Sequence, residues 1–315
     1  MTSPTHRTVR SLLDSGALDL ADPGGGATSS RLAELSGIAR RDSVSVARLV
    51  EAHTDAVAIL HEAGRALEPG AVYGVWASQT ATAGVVLDRT GSTIGGSMGF
   101  ASGLGIVDRA LVTTRTGDGT VLVDVDVRHG RGVSVVGDGA GWASPAMGET
   151  ATGSVEFVDH PVAPSDVLCD PGWYLRRPGF WHGACGPAAC WAGAAQGLVD
   201  VASRLVDDDP HRRAHHGALV AHDWTLASLL DAAGRQIDAE PDDVGVGERV
   251  ARSLRFEVSG ICRDVMDRFG RAFGPRPYVE DSDAAQRVVD LDLYVKQHHA
   301  ERELGHISNL GGATR

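Results

Sequence analysis

Cysteine is scarce in this chain, basic charge is outnumbered and no long apolar run occurs; each shortage removes a class of function. The four cysteines, Cys169, Cys185, Cys190 and Cys262, show no CxxC spacing and are too few to frame 315 residues with disulfides. They are read as reduced packing residues. With 41 acidic against 29 basic residues the formal net charge is -12, which disfavours broad attraction to a nucleic-acid backbone or an anionic membrane. No partner of either kind is expected. No segment reaches the roughly 20 apolar residues that cross a bilayer, and MTSPTHRTVRSLLDSGALDL holds no apolar core of signal-peptide length. The cytoplasm is the expected compartment. There is no internal repeat and no low-complexity tail, and PGGGATSS is short enough to be a loop.

What is present divides into three textures. Residues 30 to 64 read as helices, because Val46, Leu49, Val50, His53, Val57 and Leu60 recur at steps of three and four. From about residue 72 the pattern changes to short β-branched runs broken by glycine: VYGVW, GVVLD, RALVTT, VLVDVDV, VSVVG and SVEFV. Val121, Val123, Val125 and Val127, with Asp124 and Asp126 between them, alternate as a strand with one wetted face should. This predicts an antiparallel β domain. Beyond Trp173 the helical period returns, with helices expected near 183–206, 217–238, 246–269 and 283–304. Asp283 followed by Gln286 fits a reciprocal cap for the last of these, and on it Val288, Leu291 and Val295 share a face flanked by His298 and His299. The expected division is therefore 1–71 helical, 72–172 β and 173–315 helical.

That order, with several local strings, resembles the acyl-CoA dehydrogenase superfamily over about residues 11 to 306. The strings are LLDSGALDLADPGGG and ELSGIARRDSVSVARLVEAH in the first part, GSMGFASG with DRALVTT and WASPAMGETATGSVEFVDHPVAPSDVL in the middle, and RFGRAFGPRPYVEDSDAAQRVVDLD near the end. The resemblance implies an α+β fold: a helical N-terminal domain, here shortened, an antiparallel β-barrel-like middle domain and a C-terminal four-helix bundle. It further implies a FAD-dependent oxidoreductase acting on an acyl thioester or related small molecule, assembled as a homodimer or homotetramer. By the same resemblance Phe100 packs beside the flavin ring, Ser102 donates towards the ring nitrogen that accepts hydride, and Ser78 lines the pyrimidine side. Gly103 lets backbone approach closely. GSMGFASG offers an apolar slot, hydroxyl donors and small residues, which a flat polar-edged ring requires. A bulge or tight turn at Gly99 and Gly103, capped by Ser102, accounts for the same string without a ligand.

The chain departs from the family where the chemistry is done. The family's glutamate base lies about twelve residues beyond the leading arginine of the final helix; counting from Arg287 reaches His299, with His298 before it. A second branch carries its glutamate in the first bundle helix, but RRPGFWHGACGPAACW has no acidic residue. Arg176 and Arg177 lie near the place where an acyl-CoA grip is expected, and the R-x-x-F-G string for FAD is replaced by HRRAHHGALVAH, which keeps Gly217 with Arg212 or Arg213. His298 and His299 become the candidate catalytic residues. Histidines near the flavin are a feature of the superfamily's monooxygenase branch, resembling dibenzothiophene monooxygenase, where His53 would serve as the N-terminal partner. Taken alone, His53 is a hydrogen-bonded core histidine and the pair an ordinary boundary feature. Missing glutamates also fit a non-catalytic subunit that pairs with a longer homologue. His211, His215, His216 and His222 lack an HxxxH pair with a carboxylate partner, so no metal site is expected.

Overall fold

The computed structural model describes residues 3–78, 84–128, 133–136, 142–299 and 301–311. In chain order the helices and strands are α1 (Pro4–Asp14), α2 (Thr28–Arg41), α3 (Val44–Glu62), β1 (Tyr73–Trp76), β2 (Val85–Leu87), β3 (Thr93–Ala101), β4 (Arg109–Thr116), β5 (Gly119–Asp126), β6 (Val133–Val136), β7 (Gly153–Pro161), β8 (Val167–Leu168), α4 (Trp173–Arg176), α5 (Pro178–Gly183), α6 (Gly186–Leu205), α7 (Pro210–Ala239), α8 (Val244–Phe273), α9 (Arg276–Glu280), α10 (Ser282–Tyr294) and α11 (Glu301–Gly311). They form two compact units, Met1–Leu20 with Leu49–Phe180, and Ala21–Arg48 with Trp181–Arg315. The first carries the sheet and the second the helical bundle. This is an acyl-CoA dehydrogenase-like α+β fold.

In the first unit the strands run β6-β7-β3-β2-β4-β5-β8 across the sheet, and β1 also pairs with β4. Two features differ from the antiparallel, barrel-like expectation. β1 and β2 lie end to end along one edge of β4, against residues 109–112 and 114–115, and both pairings are parallel. β1 and β2 thus share one direction along β4, and a sequence pattern of period two carries no information about direction. The sheet is also open, with β6 at one end and the two-residue β8 at the other. Beneath it Ala56, Ile59 and Leu60 of α3 pack on Tyr73, Leu111, Leu122 and Leu168. Fully burying side chains of this size contributes about 1.5–3 kcal/mol each. The wetted face expected of β5 is only partly wet: Arg109 donates to Asp124 (2.9 Å) and Glu68 (2.9 Å), and burial pushes the Asp124 carboxyl pKa up. At the N-terminus, the Ser3 side chain accepts from the His6 backbone N–H to cap α1. Arg10 ties that helix to Asp108 at 2.7 Å.

The second unit is built on close helix packing. α6 is buried along almost its whole length by small residues, and a Cβ at Gly193 would run into the Ser36 carbonyl oxygen of α2. Only glycine permits that approach. Arg287 then closes the end of α2, donating to the carbonyls of Ala39 (2.6 Å), Asp42 (2.9 Å) and Arg40 (3.2 Å). These are the acceptors that a helix C-terminus leaves without partners, and a cation there also meets the negative end of the helix dipole. Burial pushes the Arg287 pKa down from its ordinary value. Its guanidinium lies 2.7 Å from where a Gly197 Cβ would stand, so the arginine and the glycine are fitted to each other. Cys185, Cys190 and Cys262 are buried outside any disulfide among the described residues, and burial pushes the Cys185 thiol up to about 12.

The last helix is not continuous as the periodicity predicts. α10 ends at Tyr294, a short 3-10 turn covers Val295–Gln297, and His298 is extended (φ -79°, ψ 120°) before α11 begins. Its cap also differs: Asp281 accepts from the Asp283 and Ala284 N–H groups, whereas Gln286 donates to Asp290 at 2.7 Å. An Asp two residues upstream of Asp283 satisfies two donors at once and is the residue that caps the helix. No described helix is long and apolar enough to cross a membrane.

Candidate functional site

In the first unit the residues around the end of β3 form a corner that is strained, hydroxyl-lined and exposed. Of the five non-glycine residues with positive φ among the described residues, Phe100 (59°), Met147 (56°) and Ala151 (46°) all belong to it. Such backbone costs roughly 1–3 kcal/mol per residue and collects at functional places. Phe100 is nonetheless 66% exposed, so burial does not compensate for its strain.

The corner is held from below. Gly103 (φ 85°) donates to the Thr150 carbonyl at 2.8 Å and Leu104 to the Ala151 carbonyl at 3.1 Å, while Ile106 and Val107 donate back to the Gly103 oxygen. A Cβ on Gly103 would stand 2.7 Å from Val107 Cγ1. Ser102 Oγ lies 2.9 Å from Thr152 Oγ1, which lies 2.7 Å from Thr150 Oγ1, and Thr150 donates to the Met147 carbonyl at 2.6 Å. Trp76 Nε1 donates to the Ser102 carbonyl at 2.9 Å. Three hydroxyls therefore form a chain whose protons can turn to suit a ligand. Phe100, Ser102 and Gly103 all lie in this corner. Ser78 lies half-buried two residues beyond β1. Trp76, Thr150 and Thr152 complete the corner and were not singled out in the sequence; the alternating hydroxyls of GETATG were the signal for the two threonines.

His53, also in this unit, is a buried core residue whose Nδ1 accepts from the Tyr73 N–H at 3.1 Å. Arg177 is committed internally: it pairs with Glu62 and stands 5.7 Å and 5.4 Å over the rings of Trp173 and Tyr174. Arg176 donates to the Pro171 carbonyl.

In the second unit His298 and His299 part company. The His298 side chain is wholly buried, while His299 is exposed. His298 Nδ1 lies 3.5 Å from Glu303 Oε2, neither ring nitrogen makes a hydrogen bond among the described residues, and Phe256 meets the ring edge-on at 6.2 Å. Burial lowers the His298 pKa, and Glu303 partly opposes that. The same carboxylate lies 3.8 Å from both Arg252 and Arg255 and accepts from the His299 N–H at 3.3 Å. Glu303 was missed in the sequence because it follows the break in the last helix. In the histidine-rich stretch, His222 pairs with Asp264 at 2.6 Å and His216 lies 3.0 Å from Ser203 Oγ. Arg212 and Arg213 pair with Asp207 and Asp208. Among the described residues no group of three or more His, Cys, Asp or Glu is placed to hold a metal ion.

No family model matches the chain, and no curated protein matches it by sequence. Solved structures do match in fold. TdsC from Paenibacillus sp. A11-2, in complex with FMN and indole, superposes with a TM-score of 0.80 at 18% identity, over 99% of this chain and 96% of that one. KijD3 in complex with FMN and dTDP-3-amino-2,3,6-trideoxy-4-keto-3-methyl-D-glucose gives 0.80 at 18% identity, over 99% and 87%. The methanesulfinate monooxygenase MsuC from Pseudomonas fluorescens gives 0.80 at 17% identity, over 99% and 97%. The fold class is that of these structures.

Proposed function

We propose that the chain is a flavin-dependent oxidoreductase, with the Phe100–Gly103 corner as the seat of the flavin ring. The observation that carries this reading is Phe100 itself, a large aromatic side chain exposed in left-handed backbone two residues before Ser102, which begins a chain of hydroxyls. The residues present fit a flavin: an aromatic face for a flat ring, Ser102 and Thr152 for its polar edge, and a glycine where backbone must come close. A bound flavin supplies reversible two-electron chemistry and reactivity towards oxygen. The chain's own residues would bind and orient it: Phe100 by stacking, Ser102 by donating a hydrogen bond, and Trp76 by holding the Ser102 carbonyl.

Within that class we favour a monooxygenase that takes flavin mononucleotide over a FAD-dependent acyl-CoA dehydrogenase. Two solved structures of this fold hold FMN and a third is a monooxygenase. Arg212 and Arg213, the candidates to grip a dinucleotide tail, are paired with the acidic turn before them, and Arg177 is stacked and paired internally. His298 is the proton-handling residue in this reading, since imidazole is the side chain suited to both taking and giving a proton near neutral pH. The substrate is a small molecule, and assembly as two or four copies belongs to the same reading.

Titration with FMN and with FAD, followed by flavin fluorescence and absorbance, tests the proposal; saturable one-to-one FMN binding is expected. Absence of binding by either flavin, oxidised or reduced, overturns it. Oxygen uptake with reduced FMN and aromatic or heteroatom substrates separates a monooxygenase from a dehydrogenase, which would instead pass electrons from an acyl thioester to a dye.

A further inference from the structure

His298 is wholly buried, and its Nε2 has no hydrogen-bond partner among the described residues. An imidazole in that state is costly unless its surroundings select one protonation form. The groups that face it are Glu303 from α11 and Arg252, Arg255, Arg263 and Phe256 from α8. Arg255 is itself braced, lying 4.9 Å over the Trp191 ring and donating to the carbonyls of Ala184 and Gln297, each at 3.3 Å. Its second carbonyl contact fixes the residue just before His298. Arg252 also pairs with Glu248 at 2.8 Å, so Glu303 is the carboxylate left to the histidine side: its Oε2 is turned to His298 while Oε1 takes the His299 N–H.

We infer that Glu303 is a positioning residue for His298: its carboxylate accepts from Nδ1–H and so selects the tautomer that leaves Nε2 bare to take up or release a proton. At 3.5 Å the contact is long for a hydrogen bond. Hydrogen bonds of this kind commonly tighten only when a ligand is bound. A carboxylate that fixes one ring nitrogen determines what the other can do. Arg252 and Arg255 hold Glu303 where it can do so, and Phe256 limits rotation of the ring. The inference rests on the reading of His298 as the proton-handling residue.

The test is the nitrogen NMR spectrum of histidine-labelled full-length protein, with the His298 signals assigned by their loss in His298→Gln. Wild type is expected to hold the Nδ1–H tautomer. In Glu303→Gln the Nε2–H form should gain population and the apparent His298 pKa should fall by about one unit, because the stabilising anion is gone. Glu303→Asp should keep the wild-type tautomer. Wild-type protein in the Nε2–H form overturns the inference whatever the variants do, as does a folded Glu303→Gln protein with an unchanged tautomer and pKa. Protein-dependent oxidation of reduced FMN across pH, compared between wild type and His298→Gln, tests the underlying reading separately. A lost rate with an unchanged Glu303→Gln tautomer leaves His298 in its role and removes Glu303.

Discussion

The two units handle small residues and backbone strain in opposite ways. In the bundle, Gly193 and Gly197 bring a carbonyl and a guanidinium closer than any side chain would allow, and both glycines are themselves buried. In the sheet unit, Gly103 allows a corner whose conformational cost falls on Phe100, Met147 and Ala151, and the largest of these side chains is left in the open. Close packing recovers its cost in burial, whereas the strain at Phe100 is not offset by burial of its side chain. That asymmetry is what supports the proposal that the corner takes a ligand.

Substitutions can break this comparison. Arg287→Met should have the largest effect, since it removes the donor to three part-buried carbonyls at once; a loss of about 3 kcal/mol in urea unfolding is expected. Gly193→Ala should cost about 1–3 kcal/mol by overpacking against Ser36, read by the same method. Phe100→Gly should do the reverse in the sheet unit, raising stability by up to about 1 kcal/mol as strain is relieved. If Phe100→Gly destabilises instead, the left-handed turn is supported by packing and the contrast between the units fails. Ser102→Ala should change stability by less than about 1 kcal/mol, because its hydroxyl partner Thr152 keeps Thr150.

The smallest effect is on pH dependence. His298 has a folded pKa below its ordinary value of 6.5 because burial disfavours the charged ring. The unfolded chain therefore binds the proton more readily, and stability should fall as pH drops below about 6.5, levelling off once the folded protein is protonated too. His298→Gln should flatten that acid-side decline in thermal melts between pH 7 and pH 5, while an unchanged slope would assign the decline to other groups.

Much of the fold could be read from the residues because period is local: the valine alternation of β5 and the Ala/Gly face of α6 announce their elements directly. Strand direction could not, so β1 and β2 along β4 came as a correction. The end of the last helix failed for a related reason. Its apolar stripe continues through Val295, but periodicity cannot see that Arg255 binds the Gln297 carbonyl and that the chain turns out of helix at His298. Glu303 was hidden by that break. At the corner, Phe100, Ser102 and Gly103 were legible as a string, whereas Trp76, Thr150 and Thr152 reach it from distant segments through pairings that the sequence does not display.

The most direct measurement is the dissociation constant of FMN for wild type and for Phe100→Gly, compared with the unfolding stability of the same two proteins. The account predicts saturable binding to wild type and a loss of roughly tenfold in Phe100→Gly, the size of one lost aromatic stacking contact, in a protein that is at least as stable. Equal affinity in both proteins, or no saturable binding to wild type, would contradict it.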